Sequence, residues 1–130
     1  MQSILIQTFF GPLRRSMRFR TAFILYFLIL ILGSVPHARE EVGTFASGLV
    51  LHSTAYAIIT FLLATGLDRR PPAQSIQAFL IVVVMGALDE CVQSFFPYRT
   101  AAVSDWLVDC SASLIMASIL LPLHMKLARG

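Results

Sequence analysis

Charged side chains are scarce in this chain of 130 residues. Asp, Glu, Lys and Arg together make up 13% of the sequence, where a soluble domain carries roughly 25%. Hydrophobic residues reach 57%, and the mean hydropathy is +0.77. Because a soluble core of this size cannot bury so much apolar side chain, the composition excludes an ordinary soluble domain and predicts an integral membrane protein.

Several sequence signatures of other protein classes are also absent. The two cysteines, Cys91 and Cys110, are too few for a disulfide framework and lie within apolar runs, where small packed residues are expected. No zinc-ligand spacing, phosphate-binding glycine loop or dinucleotide fingerprint occurs, so we predict neither a metal nor a cofactor. The net charge of +3 comes from basic residues beside hydrophobic runs. That placement is typical of membrane topology signals, so the bilayer is the expected partner and nucleic acid is not.

Four apolar segments are long enough, or nearly so, to cross a bilayer, which takes roughly 20 residues of helix. Proline marks the breaks between them, at Pro36, Pro71–Pro72 and Pro97, because proline cannot continue a helix. The predicted fold is an all-α bundle of four transmembrane helices in one domain, residues 21–123, between an N-terminal segment, 1–20, and a tail, 124–130. The predicted spans are residues 21–35, 46–67, 75–96 and 104–123.

The beginning of the chain has some features of a signal peptide, with basic residues ahead of an apolar run. Pro36 occupies the place where a cleavage site wants a small residue, so we expect the first span to be retained. Met17, which opens the run MRFRTAFILYF, is an alternative to Met1 as the start of translation.

Basic residues are distributed unequally between the two sides of the predicted bundle. Eight of the ten Lys and Arg lie before the first span, between the second and third, or after the fourth. Only Arg39 and Arg99 lie on the other side. Because cytoplasmic loops carry the Lys and Arg excess, both termini are predicted to be cytoplasmic. Six of the seven carboxylates then lie at outward loops or outward helix ends, and Asp68 is the exception.

Polar side chains converge near the outward ends of the last three spans. Helical spacing places Glu90 with Gln93 on one face, and Asp105 with Asp109 on another. An ionised side chain at mid-bilayer costs about 2.5–3.5 kcal/mol, so the deeper acids, Glu90 and Asp109, should face the bundle interior. Asp89, like Asp105, is compatible with an ordinary boundary charge.

The resulting candidate for a ligand-binding cluster has seven members, with no metal assigned to it. They are His52, Tyr56, Glu90, Gln93, Arg99, Asp105 and Asp109.

This arrangement resembles the VanZ-like family of small bacterial membrane proteins, over roughly residues 34–120. That family has a characteristic run of glutamate, glutamine, aromatic residue, proline, arginine and aspartate, preceded by a histidine with a tyrosine four residues later. The matching residues here are Glu90, Gln93, Phe95, Pro97, Arg99 and Asp105, preceded by His52 and Tyr56. Departures from the pattern occur where the family often has Asp, Lys, Asn and Gly, at Gly48, Leu49, Asp109 and Ala112.

The resemblance implies a multi-pass protein of the bacterial cytoplasmic (inner) membrane with a role in the cell envelope. The founding member of the family is an accessory factor in antibiotic resistance, to the glycopeptide teicoplanin. We therefore expect a non-enzymatic accessory factor that binds a lipid or glycan headgroup, or a glycopeptide-like compound, at the outward polar site. Arg99 would hold a phosphate or carboxylate of that ligand.

Two alternatives stay open. The chain could be an intramembrane enzyme acting on envelope lipids, with His52 or Glu90 as the base. It could also be a purely structural membrane subunit, alone or within an oligomer.

Overall fold

The computed structural model describes residues 4, 6, 10–38, 41 and 47–129. Among them are four long helices and one short 3₁₀ turn, Pro12–Arg14, and no strand occurs in the described residues. The helices are α1 (Arg15–Ser34), α2 (Gly48–Gly66), α3 (Ala73–Ser94) and α4 (Val103–Arg129). All four are long and apolar enough to cross a membrane. The prediction of an all-helical, multi-pass membrane protein with four spans is therefore confirmed.

The first and last helices extend beyond the spans predicted from hydropathy. Helix α1 begins at Arg15 rather than near residue 21. Arg18 lies in this additional part of the helix, and it can be buried there because its guanidinium is hydrogen-bonded. Its guanidinium donates to Thr65 O at 2.8 and 3.1 Å and to Gly11 O at 2.8 Å. Helix α4 continues through Pro122 to Arg129, and the basic residues of its last turn complement the negative end of the helix dipole.

Close contact between helices depends on two glycines. A Cβ on Gly66 of α2 would lie 2.7 Å from the backbone N of Phe19, so α1 could not approach α2 as it does. A Cβ on Gly86 of α3 would lie 3.0 Å from Trp106 Cδ1 of α4. Helix α4 packs against both α2 and α3, and α1 packs mainly on α2. Small residues at such crossings are typical of helix association in membranes.

The bundle is apolar on its outside as well as in its core. Fully buried residues such as Ile59, Leu63 and Val82 form the centre, while Ile31 and Ile115 remain largely exposed. Lipid chains are as apolar as leucine, so these exposed side chains suit a membrane environment.

The contacts at the two ends of the bundle show that successive helices run antiparallel. At one end, Arg15 pairs with Asp68, and Ser75 Oγ lies 3.2 Å from His124 Nδ1. We call this the basic end. At the other, the acidic end, Tyr98 donates to Ser34 O at 2.6 Å. The start of α1 and the end of α4 therefore lie at the same end of the bundle.

Candidate functional site

A histidine and an aspartate join α2 to α4 at the acidic end. His52 Nδ1 lies 3.0 Å from Asp109 Oδ1. Asp109 is fully buried, and the bare Gly86 makes room for it, since a Cβ there would lie 3.4 Å from Asp109 Oδ2. That Oδ2 atom has no hydrogen-bond partner among the described residues. Within the described chain, His52 is thus the main group that can donate a hydrogen bond to this carboxyl group or compensate its charge.

Asp89 is the centre of a second set of contacts, one helical face away. Tyr56 donates its hydroxyl proton to Asp89 Oδ2 at 3.1 Å, and Gln93 Nε2 donates to Asp89 Oδ1 at 2.9 Å. The guanidinium of Arg99 donates to Gln93 Oε1. Asp89 is only 1% exposed. A continuous hydrogen-bonded chain therefore runs from Arg99 in the α3–α4 turn to Tyr56 in the core of α2.

Glu90 turns away from this chain, towards the turn that leads into α4. Its Oε2 accepts a hydrogen bond from the Ala102 backbone N at 2.7 Å. Its Oε1 has no hydrogen-bond partner in the part of the chain that the structure describes. Asp105, half-buried in the first turn of α4, lies near the same turn. Glu90 therefore fixes the α3–α4 turn in place.

A cavity of about 220 Å³ lies at the acidic end between α1, α2 and α3. Its apolar wall includes Ile29, Leu32 and Leu51. Its polar lining consists of His52, Tyr56, Asp89, Gln93 and Arg99. The cavity thus offers one cation, one buried carboxylate and several hydrogen-bonding groups beside an apolar surface.

The seven predicted site residues divide into three groups in the structure. His52, Tyr56, Gln93 and Arg99 line the cavity. Asp109 is not part of the lining, but it contacts the imidazole of His52, which is. Glu90 and Asp105 share the same end of the bundle but are not part of the lining.

The cavity residue that sequence analysis missed is Asp89. Its position near the predicted turn is compatible with an ordinary boundary charge. The four-residue spacing does place Asp89 on a helix face shared with Gln93, but spacing alone does not show that this face is buried. Tyr56 and Thr60 are also four residues apart and share a face of α2 that is directed into the bundle. The Thr60 hydroxyl lies there, 2.8 Å from that of Ser113.

The geometry around His52 defines what the site can do chemically. When Asp109 is ionised, it accepts the Nδ1 proton of His52, and Nε2 then presents a lone pair. Nearly parallel packing of the His52 and Tyr56 rings, with centroids 6.2 Å apart, accompanies this contact. The site can therefore combine a fixed proton acceptor, His52, with a fixed cation, Arg99.

No arrangement of three or more His, Cys, Asp or Glu side chains suited to a metal occurs among residues 10–38 and 47–129. Comparison of the chain with models of known families, with curated proteins and with solved structures finds no match.

Proposed function

We propose that this chain is a VanZ-like protein of the bacterial cytoplasmic membrane and a non-enzymatic accessory factor of the cell envelope. Its ligand would be the headgroup of a lipid or of a lipid-linked glycan, bound in the acidic-end cavity. The observation that carries the proposal is the lining of this cavity. Four residues of the family pattern, His52, Tyr56, Gln93 and Arg99, meet there around one space.

The distribution of basic residues supports an outward orientation for that cavity. Arg15, Arg69 and Arg70 belong to the opposite end of the bundle, together with the last turn of α4. Because Lys and Arg accumulate on the cytoplasmic side, the basic end would face the cytoplasm and carry both termini. The acidic-end cavity would then face the envelope.

The two kinds of wall in the cavity favour an amphiphilic ligand. Arg99 offers charge-assisted hydrogen bonds to a phosphate or carboxylate. Asp89 and His52 can accept hydrogen bonds from hydroxyl or amine groups, such as those of sugars and amino sugars. Ile29 and Leu32 of α1 supply an apolar surface beside these groups, suited to the first part of an acyl or prenyl chain. A glycopeptide-like compound with a lipid tail has the same two-part character.

One observation favours the enzymatic alternative, namely the contact between His52 and Asp109. A buried carboxylate that orients an imidazole is a common way to prepare a general base. In that case His52 would remove a proton from a hydroxyl or water in the cavity, and Arg99 would stabilise charge on a phosphoryl or acyl oxygen.

A binding experiment in nanodiscs tests the proposal. The full chain in phosphatidylcholine nanodiscs is titrated with a polyprenyl phosphate and with a lipid-linked sugar phosphate, and fluorescence of Trp106, the single tryptophan, is followed. We expect R99Q to weaken binding at least about tenfold, which corresponds to about 1.4 kcal/mol. R129Q removes the same charge at the basic end and should leave binding unchanged.

The outcome distinguishes the two functions as well. Equal affinities of R99Q, R129Q and the parent, with native helical circular dichroism in all three, would exclude the cavity as the binding site. Conversion of either lipid by the parent chain but not by H52Q would support the enzymatic function instead of the accessory-factor function.

A further inference from the structure

A second cavity, of about 280 Å³, lies at the basic end of the bundle. It is bounded by parts of α1, α2, α3 and α4 together with the α2–α3 connection. The charged and polar residues in its lining are Arg15, Thr65, Arg69, Arg70, Gln74 and His124. None of these residues belongs to the acidic-end cavity, so the two spaces are separate.

Positive charge at this cavity is only partly compensated. Arg15 pairs with Asp68, whose side chain is 91% exposed and does not line the cavity. Asp68 is the only acidic residue within 10–38, 47–88 and 110–129. Arg69 and Arg70 are exposed and have no ion pair with another described residue. Two arginines at the cavity therefore remain available to an anion.

Buried polar groups face the same space. Gln74 is 8% exposed, lines the cavity and forms no side-chain hydrogen bond with any other residue that the structure describes. His124 is 5% exposed, and its Nδ1 lies 3.2 Å from Ser75 Oγ. When Ser75 donates to Nδ1, the proton of His124 is on Nε2, which can then donate. The Gln74 amide lines the cavity without a partner among the described residues, so its N–H groups are available to an acceptor that enters this space.

We propose that the basic-end cavity binds a phosphate group. Arg69 and Arg70 would provide the charge, and the Gln74 amide with His124 would provide neutral hydrogen bonds to the phosphate oxygens. The phosphate could belong to an anionic lipid headgroup or to inorganic phosphate in solution. This proposal concerns the opposite end of the bundle and does not depend on the function proposed above.

Thermal unfolding of the full chain in nanodiscs tests the site. One arm compares phosphatidylcholine nanodiscs with nanodiscs containing increasing phosphatidylglycerol, and the other adds inorganic phosphate to phosphatidylcholine nanodiscs at constant ionic strength. We expect a saturable rise in the unfolding midpoint in at least one arm. A rise with inorganic phosphate identifies a soluble ligand, and a rise with phosphatidylglycerol alone identifies a lipid headgroup.

Two matched charge removals separate a site from diffuse attraction. R69Q/R70Q removes two cations from the cavity, whereas K126Q/R129Q removes two exposed cations from the same end of the bundle, outside the cavity. Diffuse attraction to anionic lipid predicts equal losses of apparent affinity from the two pairs. A site predicts that R69Q/R70Q loses on the order of tenfold more than K126Q/R129Q, since charge-assisted hydrogen bonds are removed.

Q74A provides a test that involves no change of charge. Loss of one hydrogen bond should reduce the apparent affinity about 3- to 10-fold. Equal losses from the two charge pairs with an unaltered Q74A, or no saturable stabilisation in either arm, would overturn the proposal.

Discussion

Replacing Asp89 by alanine removes the acceptor for two buried donors at once. Tyr56 OH and Gln93 Nε2, at 3.1 and 2.9 Å from the carboxylate, would both be left without it. A buried group left unsatisfied costs about 1–3 kcal/mol, so two would cost about 2–6 kcal/mol. Side-chain hydrogen bonds measured inside membrane proteins are worth about 0.6 kcal/mol on average and up to about 1.7, which gives about 1–3 kcal/mol for two. We expect D89A to lower the free energy of unfolding by about 2–3 kcal/mol, where the two ranges overlap.

The assay is unfolding by sodium dodecyl sulfate in mixed micelles, followed by far-ultraviolet circular dichroism. D68A is the matched control, because Asp68 is also acidic and paired but is almost entirely exposed, so its loss should cost less than about 1 kcal/mol. Y56F should be less destabilising in the D89A background than in the parent, since it removes a hydroxyl that has lost its acceptor. A D89A variant as stable as D68A would refute the inference that Asp89 holds the acidic end together.

Three further predictions concern helix packing and orientation. G66A should cost about 1–3 kcal/mol in the same assay, because its Cβ would meet the backbone of α1 at 2.7 Å, and G33A, whose nearest neighbour is 3.8 Å away, should cost nothing; equal effects would contradict the packing at Gly66. T60V and S113A should each destabilise, and the double variant should cost less than their sum by about 0.6–1.7 kcal/mol, whereas strict additivity would mean that the two hydroxyls do not interact. Reporter fusions should place Tyr98 outside and the C-terminus in the cytoplasm, and a cytoplasmic signal at Tyr98 would reverse the proposed orientation of the acidic-end cavity.

Hydropathy and prolines were sufficient to predict the number and approximate places of the helices. They could not predict that α1 begins at Arg15, because a hydropathy profile treats Arg18 as a boundary charge and contains no information about the carbonyl of Thr65 that accepts its protons. Polarity and spacing also predicted which end of the bundle would gather the polar groups. They could not decide between the neighbours Asp89 and Glu90, which point about 100° apart on one helix. That choice depends on where Tyr56 of α2 lies, which is a property of the tertiary packing.

The two polar pairs between α2 and α4 have a consequence for how α4 is oriented about its own axis. Apolar residues such as Leu114 and Ile115 suit lipid equally well over a range of rotations, because lipid and leucine are similar in polarity. The pairs of Asp109 with His52 and of Ser113 with Thr60 do not share this tolerance. A turn of one residue, about 100°, would separate both pairs together. In a bundle with so little charge, these polar pairs favour one rotation of α4 about its axis. Replacing them by apolar residues would therefore lead to several coexisting orientations of α4 rather than to loss of helix.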